Sequence, residues 1–239
     1  MNRLSVNRLP LLFLLGVMLL FGCGKNGSEP SSSGGNSQPS GADNGHGGYN
    51  SYYTDGEITF VDNAASNTPL DEGLTKLAFV DTNGKETTVS DYAGEKMLVL
   101  VLTRGNTDPI CPYCSTQTVG YISQYEEFVK RGAEVLLVYP IEKAVDSARV
   151  DAFLENVRQK VNDPNRPVPF PVLLDVELRA VNHLGIRENL SKPATYIIDR
   201  EGKVRYAYVG KERQLSDRPS VQAVLGELDK LTATPLPAS

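Results

Sequence analysis

Apolar residues follow two rhythms along this chain, and the rhythms alternate. Met97 to Leu102 (MLVLVL) and the AEVLLVYP stretch that ends at Pro140 are continuous apolar runs, which predict strands buried inside a sheet covered on both faces. From Ser115 to Arg131 the spacing changes: Ile122, Tyr125 and Val129 recur at helical intervals, with Gly132 as a stop. Val150, Phe153, Leu154, Val157 and Val161 mark one face of a longer helix. VPFPVLLD predicts a strand entered through prolines, followed by a short helix through Val181, and Val221, Val224, Leu225, Leu228 and Leu231 form a last amphipathic helix. Two hairpins frame this core, one turning at Asn83-Gly84 and one at Glu201-Gly202. Strands that alternate with helices and close on an antiparallel hairpin predict an α/β fold, a central mixed β-sheet flanked by helices. A short alternating run from Glu57 to Val61 predicts an N-terminal hairpin extension of it.

The first part of the chain keeps neither rhythm. Arg3 and Arg8 precede an apolar run from Leu9 to Phe21, the layout of a bacterial export signal, and the run is short for a membrane span of ~20 residues. Leu20-Phe21-Gly22-Cys23 resembles a lipobox, in which the cysteine receives lipid and becomes the mature N-terminus. From Gly24 to Asn50 the residues are mostly Gly, Ser, Asn and Pro, too polar to pack, as in a flexible tether. The expected organisation is a signal peptide over 1–22, a tether over 23–55 and one folded domain over 56–235. That places the domain in a bacterial cell envelope, in the periplasm, held to a membrane through lipid on Cys23. Lys and Arg number 24 against 29 Asp and Glu, for a net charge of -5, and no basic run is dense enough to suggest a nucleic-acid partner.

Of three cysteines, Cys23 serves the anchor and two remain in the domain, Cys111 and Cys114, separated by Pro112 and Tyr113. The pair follows the central strand directly and opens a helix. Three chemistries fit a close pair. As a static disulfide it would be a poor staple, because a two-residue loop constrains the unfolded chain little. As a metal site it lacks ligands, since the domain offers only His183 besides the thiols and no second CxxC. As a redox couple it gains from the helix start, whose free N–H groups and positive dipole end stabilise a thiolate. On that reading Cys111 is the more exposed and acidic sulfur and attacks, and Cys114, behind it, resolves the mixed disulfide. Pro112 stiffens the loop and Tyr113 packs beside the sulfurs or offers its hydroxyl, so both are placed at the substrate.

From about Leu77 to Leu231 the order of elements resembles the thioredoxin-like redoxins. This group holds the alkyl hydroperoxide reductase/thiol-specific antioxidant proteins and the membrane-tethered thiol:disulfide oxidoreductases. FVDTNGKETTVSDYAGEKMLVLVL is similar to the group's opening hairpin and first core strand, KPATYIIDREGKVRYAYVG to its closing hairpin, and RGNTDPICPYCSTQ to the CPYC segment of a peroxiredoxin-like branch. The resemblance implies a thioredoxin-like fold. It also implies a cis-proline at Pro193, lying against the CxxC and holding substrate backbone. Typical peroxidases of the group place Thr or Ser three residues before the attacking cysteine and an Arg near the position of Pro193. Counted from Cys111, Asp108 stands where the hydroxyl would be, with Thr107 and Arg104 near enough in sequence to substitute, and Gln117 takes a place where tethered relatives often carry Glu.

The function expected from these residues is an envelope-tethered thiol:disulfide oxidoreductase that cycles the CPYC dithiol without metal or organic cofactor and acts on protein thiols and disulfides. The alternative is a peroxiredoxin-like thiol peroxidase using the same cysteines on peroxide. A metallochaperone of the same fold is a more distant third reading.

Overall fold

The computed structural model describes residues 58–161 and 165–233. Strand β1 (Ala78–Asp81) and β2 (Glu86–Thr88) form the opening hairpin, with Gly84 at φ +81° in its turn, a conformation that favours glycine. β3 (Met97–Leu102) is buried at every position and pairs in parallel with β4 (Ala133–Ile141), which pairs in parallel with β5 (Val172–Val176). Two minor strands, β6 (Arg187–Glu188) and β7 (Leu190–Ser191), pair apart from the main sheet. The closing hairpin is β8 (Ala194–Ile198) and β9 (Val204–Val209), and β8 lies antiparallel to β3. The mixed seven-stranded sheet runs β2-β1-β5-β4-β3-β8-β9, so β3 and its C-terminal end lie inside it.

Because side chains of a strand alternate between faces, the apolar runs feed two cores. Met97, Val99 and Val101 face α1 (Pro112–Ser123), α2 (Tyr125–Lys130), α3 (Arg149–Lys160) and α5 (Val221–Ala233). Leu98, Leu100 and Leu102 pack the opposite layer, with α4 (Arg179–His183) and Leu74, Phe79 and Val89. The helix expected from Ser115 to Arg131 is broken at Gln124, which caps α1 and starts α2. The break shifts the helical phase of α2 relative to α1, so Phe128 is fully buried and Val129 is 49% exposed.

The run ending at Val61 forms no strand of its own among the described residues. It makes one parallel bridge to Pro219, and the segment behind it straps the outer edge of β9. Tyr206 donates to the Ala64 carbonyl, Ser66 Oγ and Asn67 N both donate to the Ala207 carbonyl, and Val209 N donates to Asn67 Oδ1. Side-chain bonds of this kind take up the edge groups of β9 that a hairpin would have paired.

Candidate active site

The loop between β3 and α1 is pinned to β4 before it reaches the cysteines. Thr103 donates through N and Oγ1 to the Val138 carbonyl, and Asn106 N donates to the Pro140 carbonyl at 2.9 Å. Between them Gly105 sits at φ +87°, and a Cβ there would lie 2.2 Å from the Pro140 oxygen, so only glycine lets the backbones approach this closely. The loop then delivers Cys111 as the N-cap of α1, with Pro112 at the first helical position, where its missing N–H costs nothing. Cys114 N donates to Cys111 Sγ at 3.4 Å, and Ser115 N and Oγ both donate to the Cys111 carbonyl.

Arg218 reaches the pair from the far end of the chain. It is 1% exposed, and Nη1 lies 3.6 Å from Cys114 Sγ and 3.1 Å from Gln117 Oε1, while Nε donates to the Leu215 carbonyl at 2.8 Å. The turn that carries it is held on every side. Val61 N donates to the Arg218 carbonyl and Ser220 N donates to the Val61 carbonyl; the Phe60 ring lies 5.8 Å from the guanidinium carbon; Ser220 caps α5 by accepting from Ala223 N. Asp217, next in sequence, is occupied elsewhere, accepting from Tyr208 Oη and Lys211 N, each at 2.7 Å. Among the described residues no carboxylate pairs with Arg218. A buried cation without a counter-charge costs several kcal/mol, and the group positioned to supply one is a thiolate on Cys114.

The electrostatics reflect this geometry. Burial alone pushes the Cys114 thiol up, but the Cys111 thiol donating to it, the Arg218 guanidinium and the Arg104 N–H at 3.4 Å together bring it down to about 5. Cys111 moves the other way: its hydrogen bond to Cys114, then burial, then the neighbouring negative sulfur push it up. The expectation made Cys111 the more exposed and more acidic sulfur, whereas the hydrogen-bond donors of the site gather at Cys114. The two are buried alike, at 3% and 2% exposure, and the negative charge is drawn to Cys114, because the N-cap sulfur meets one backbone N–H while the sulfur in the first turn points inward at Arg104 N and Arg218.

Other expected residues separate. Tyr113 is half-buried against the helical-face core and Pro112 is partly exposed. Pro193 is buried and its carbonyl accepts from Gly210 N at 2.8 Å, extending the β8–β9 ladder. The Lys192-Pro193 bond is not cis; the cis bond among the described residues is Asp108-Pro109. A trans bond keeps residue 193 extended at the strand entrance, where the ladder needs it. Asp108 is exposed and makes no hydrogen bond or ion pair with either sulfur. His183 pairs with Asp71 at 3.0 Å, and no group of three metal-ligating side chains occurs among the described residues. Cys23 lies outside the described residues. Gln117, whose sequence position alone drew notice, is a direct partner of Arg218, and Arg218 itself carries no signal in the sequence, where SDRPS reads as a loop. Among the described residues, the buried side-chain atoms that find no hydrogen-bond partner include Arg218 Nη2, and Arg104 Nε, Asn106 Oδ1 and Thr107 Oγ1 on the loop that delivers Cys111. They leave donors and an acceptor free for the oxygens of a small substrate.

Residues 69–207 match the AhpC/TSA family. The chain is 28% identical over 145 residues to the chloroplastic peroxiredoxin Q of Suaeda salsa, covering 58% of this chain and 60% of that protein. It is 25% identical over 174 residues to a peroxiredoxin of Ignicoccus hospitalis, covering 70% of each. The chain thus spans less than two thirds of the plant relative. A mutant of the peroxiredoxin 6 of Arenicola marina superposes with a TM-score of 0.58 at 19% identity, over 70% of this chain and 74% of that one, and shares its thioredoxin-like fold.

Proposed function

This chain belongs to the AhpC/TSA family, and we propose that it is a thiol-dependent peroxidase, in which the Cys111–Cys114 couple reduces hydrogen peroxide or an organic hydroperoxide and is recharged by an external dithiol. The observation that carries this reading is the burial of both sulfurs beside a guanidinium that has no carboxylate partner among the described residues. A protein disulfide must approach a thiolate in line with its own S–S bond, which requires an exposed sulfur. Hydrogen peroxide is scarcely larger than water and needs far less access, and the unpartnered buried atoms of Arg104, Asn106, Thr107 and Arg218 leave hydrogen-bonding capacity for its oxygens. The expectation of thiol:disulfide exchange as the main activity gives way on these grounds, and exchange is kept for the recharging half-reaction with a small dithiol, which needs less access than a protein disulfide.

Stopped-flow mixing of the reduced protein with each oxidant tests the choice. Peroxide should react with a second-order rate constant of about 10⁴ M⁻¹s⁻¹ or more, and a protein disulfide about a hundredfold more slowly. Fast disulfide exchange with sluggish peroxide would return the protein to the exchange reading.

The envelope address belongs to the same proposal and rests on Arg3, Arg8, the apolar run and Cys23. Cys23→Ser should release the protein from the membrane fraction of a bacterial host with its peroxide reaction unchanged. A variant retained there without lipid would make the segment an uncleaved anchor.

A further inference from the structure

The structure assigns the attack on peroxide to Cys114 and makes Cys111 both the acid and the resolving thiol, an order opposite to the one the helix start alone suggests. This rests on the peroxidase reading and deepens it. Around Cys114 Sγ three donors converge: Arg104 N–H at 3.4 Å, Arg218 Nη1 at 3.6 Å and the thiol of Cys111. Around Cys111 Sγ the hydrogen bonds supply one donor from the protein backbone, Cys114 N–H at 3.4 Å. Donors that favour an anion at one sulfur and a proton on the other divide the couple into a nucleophile and an acid. Gln117 sharpens the division. As a neutral amide it holds Arg218 in place at 3.1 Å without cancelling its charge, so the guanidinium's counter-charge is the sulfur.

The chemistry balances within the pair. The Cys114 thiolate attacks the terminal oxygen of the hydroperoxide; the S–O bond forms, the O–O bond breaks, and the sulfur is oxidised to a sulfenic acid. The departing alkoxide, or hydroxide from hydrogen peroxide, takes the proton of the Cys111 thiol and leaves as alcohol or water. Cys111, now a thiolate, attacks Cys114 sulfur; the S–S bond forms, the S–O bond breaks, and hydroxide leaves to take a proton from solvent. Two electrons have passed from the dithiol to the peroxide, and an external dithiol returns them by exchange. The sulfurs span one helical turn, so the resolving step requires no unfolding of α1.

Single-cysteine variants of the full chain, reduced and mixed with one equivalent of hydrogen peroxide, test the order by mass spectrometry with a sulfenic-acid trap. Cys111→Ser should accumulate sulfenic acid on Cys114 at a rate within about tenfold of the parent. Cys114→Ser should lose about a hundredfold or more, reacting like a free thiol. Rapid oxidation of Cys111 in Cys114→Ser, with an inert Cys111→Ser, would overturn the assignment. Thiolate absorbance against pH gives a readout that needs no peroxide: the Cys114 thiol in Cys111→Ser should ionise at lower pH than the Cys111 thiol in Cys114→Ser, and the reverse order would also overturn it. If the parent ignores peroxide while the ionisation order holds, the peroxidase reading fails and the polarity of the couple stands.

Discussion

Arg218→Met should lower the rate constant for peroxide by about two to three orders of magnitude at neutral pH. The side chain is 1% exposed, touches the Cys114 sulfur, and is paired with no carboxylate among the described residues, so the variant removes the couple's principal stationary charge. The sign with pH comes from the direction of the shift. Cys114 is held down at about 5, so its thiolate is present above that pH and is lost as pH falls through it. Without the guanidinium the window moves upward toward the ordinary cysteine range, and the deficit should narrow as pH rises. Stability should respond differently. A buried guanidinium with Nη2 unpartnered is expensive to hold, and an unbranched apolar chain fills most of its volume, so thermal unfolding of the reduced variant should occur at or above the parent temperature. A variant as active as the parent would remove Arg218 from the site. A variant that unfolds early would make its role structural, and Arg218→Lys, which retains the charge, would then have to recover no activity.

Gln117→Glu should raise the pH at which the couple ionises by about 1–3 units, without altering the shape of the site. The amide oxygen now accepts from Arg218 at 3.1 Å, and a carboxylate in its place would pair with the same nitrogen and supply the counter-charge that the structure leaves to the sulfur. The variant should react with peroxide more slowly at neutral pH, by up to about tenfold, and regain most of its rate in alkali, where the thiolate forms regardless. Gln117→Leu separates charge from scaffolding: it loses the hydrogen bond but adds no negative charge, so its ionisation midpoint should stay close to the parent's. Equal midpoints for Gln117→Glu and the parent, measured by thiolate absorbance, would show that the charge on Arg218 does not govern the thiol.

Much of the architecture is legible in the sequence, and the reason is local. A buried strand must be apolar on both faces and an amphipathic helix on one, so MLVLVL, AEVLLVYP and the face running from Val150 to Val157 declare themselves within a few residues. The Asn83-Gly84 and Glu201-Gly202 turns do the same, since Gly84 and Gly202 adopt the positive φ that such turns require. Where the local pattern is interrupted it misleads: Val129 fits the periodicity of a continuous helix, and the break at Gln124 turns it to solvent and puts Phe128 inside. The run that ends at Val61 alternates like a strand, yet the β9 edge is bonded by Ser66 and Asn67, and Val61 bridges the Arg218 turn instead.

The candidate site divides in the same way. That Cys111 and Cys114 open a helix at the end of a central strand is evident from adjacency and from the helix start. Which sulfur holds the charge is not. Three residues before Cys111 stands the exposed Asp108; three residues before Cys114 stands Cys111, whose thiol is hydrogen-bonded to the Cys114 sulfur. The cation lies 104 residues further along, in a segment whose composition announces only a loop. Periodicity reports on which side of an element faces the core, because that depends on neighbours three or four residues away. The ionisation of a buried thiol depends on distance through space to a charge and on the absence of a competing carboxylate, and those were decided only when β9, the N-terminal strap and the start of α5 closed around Arg218.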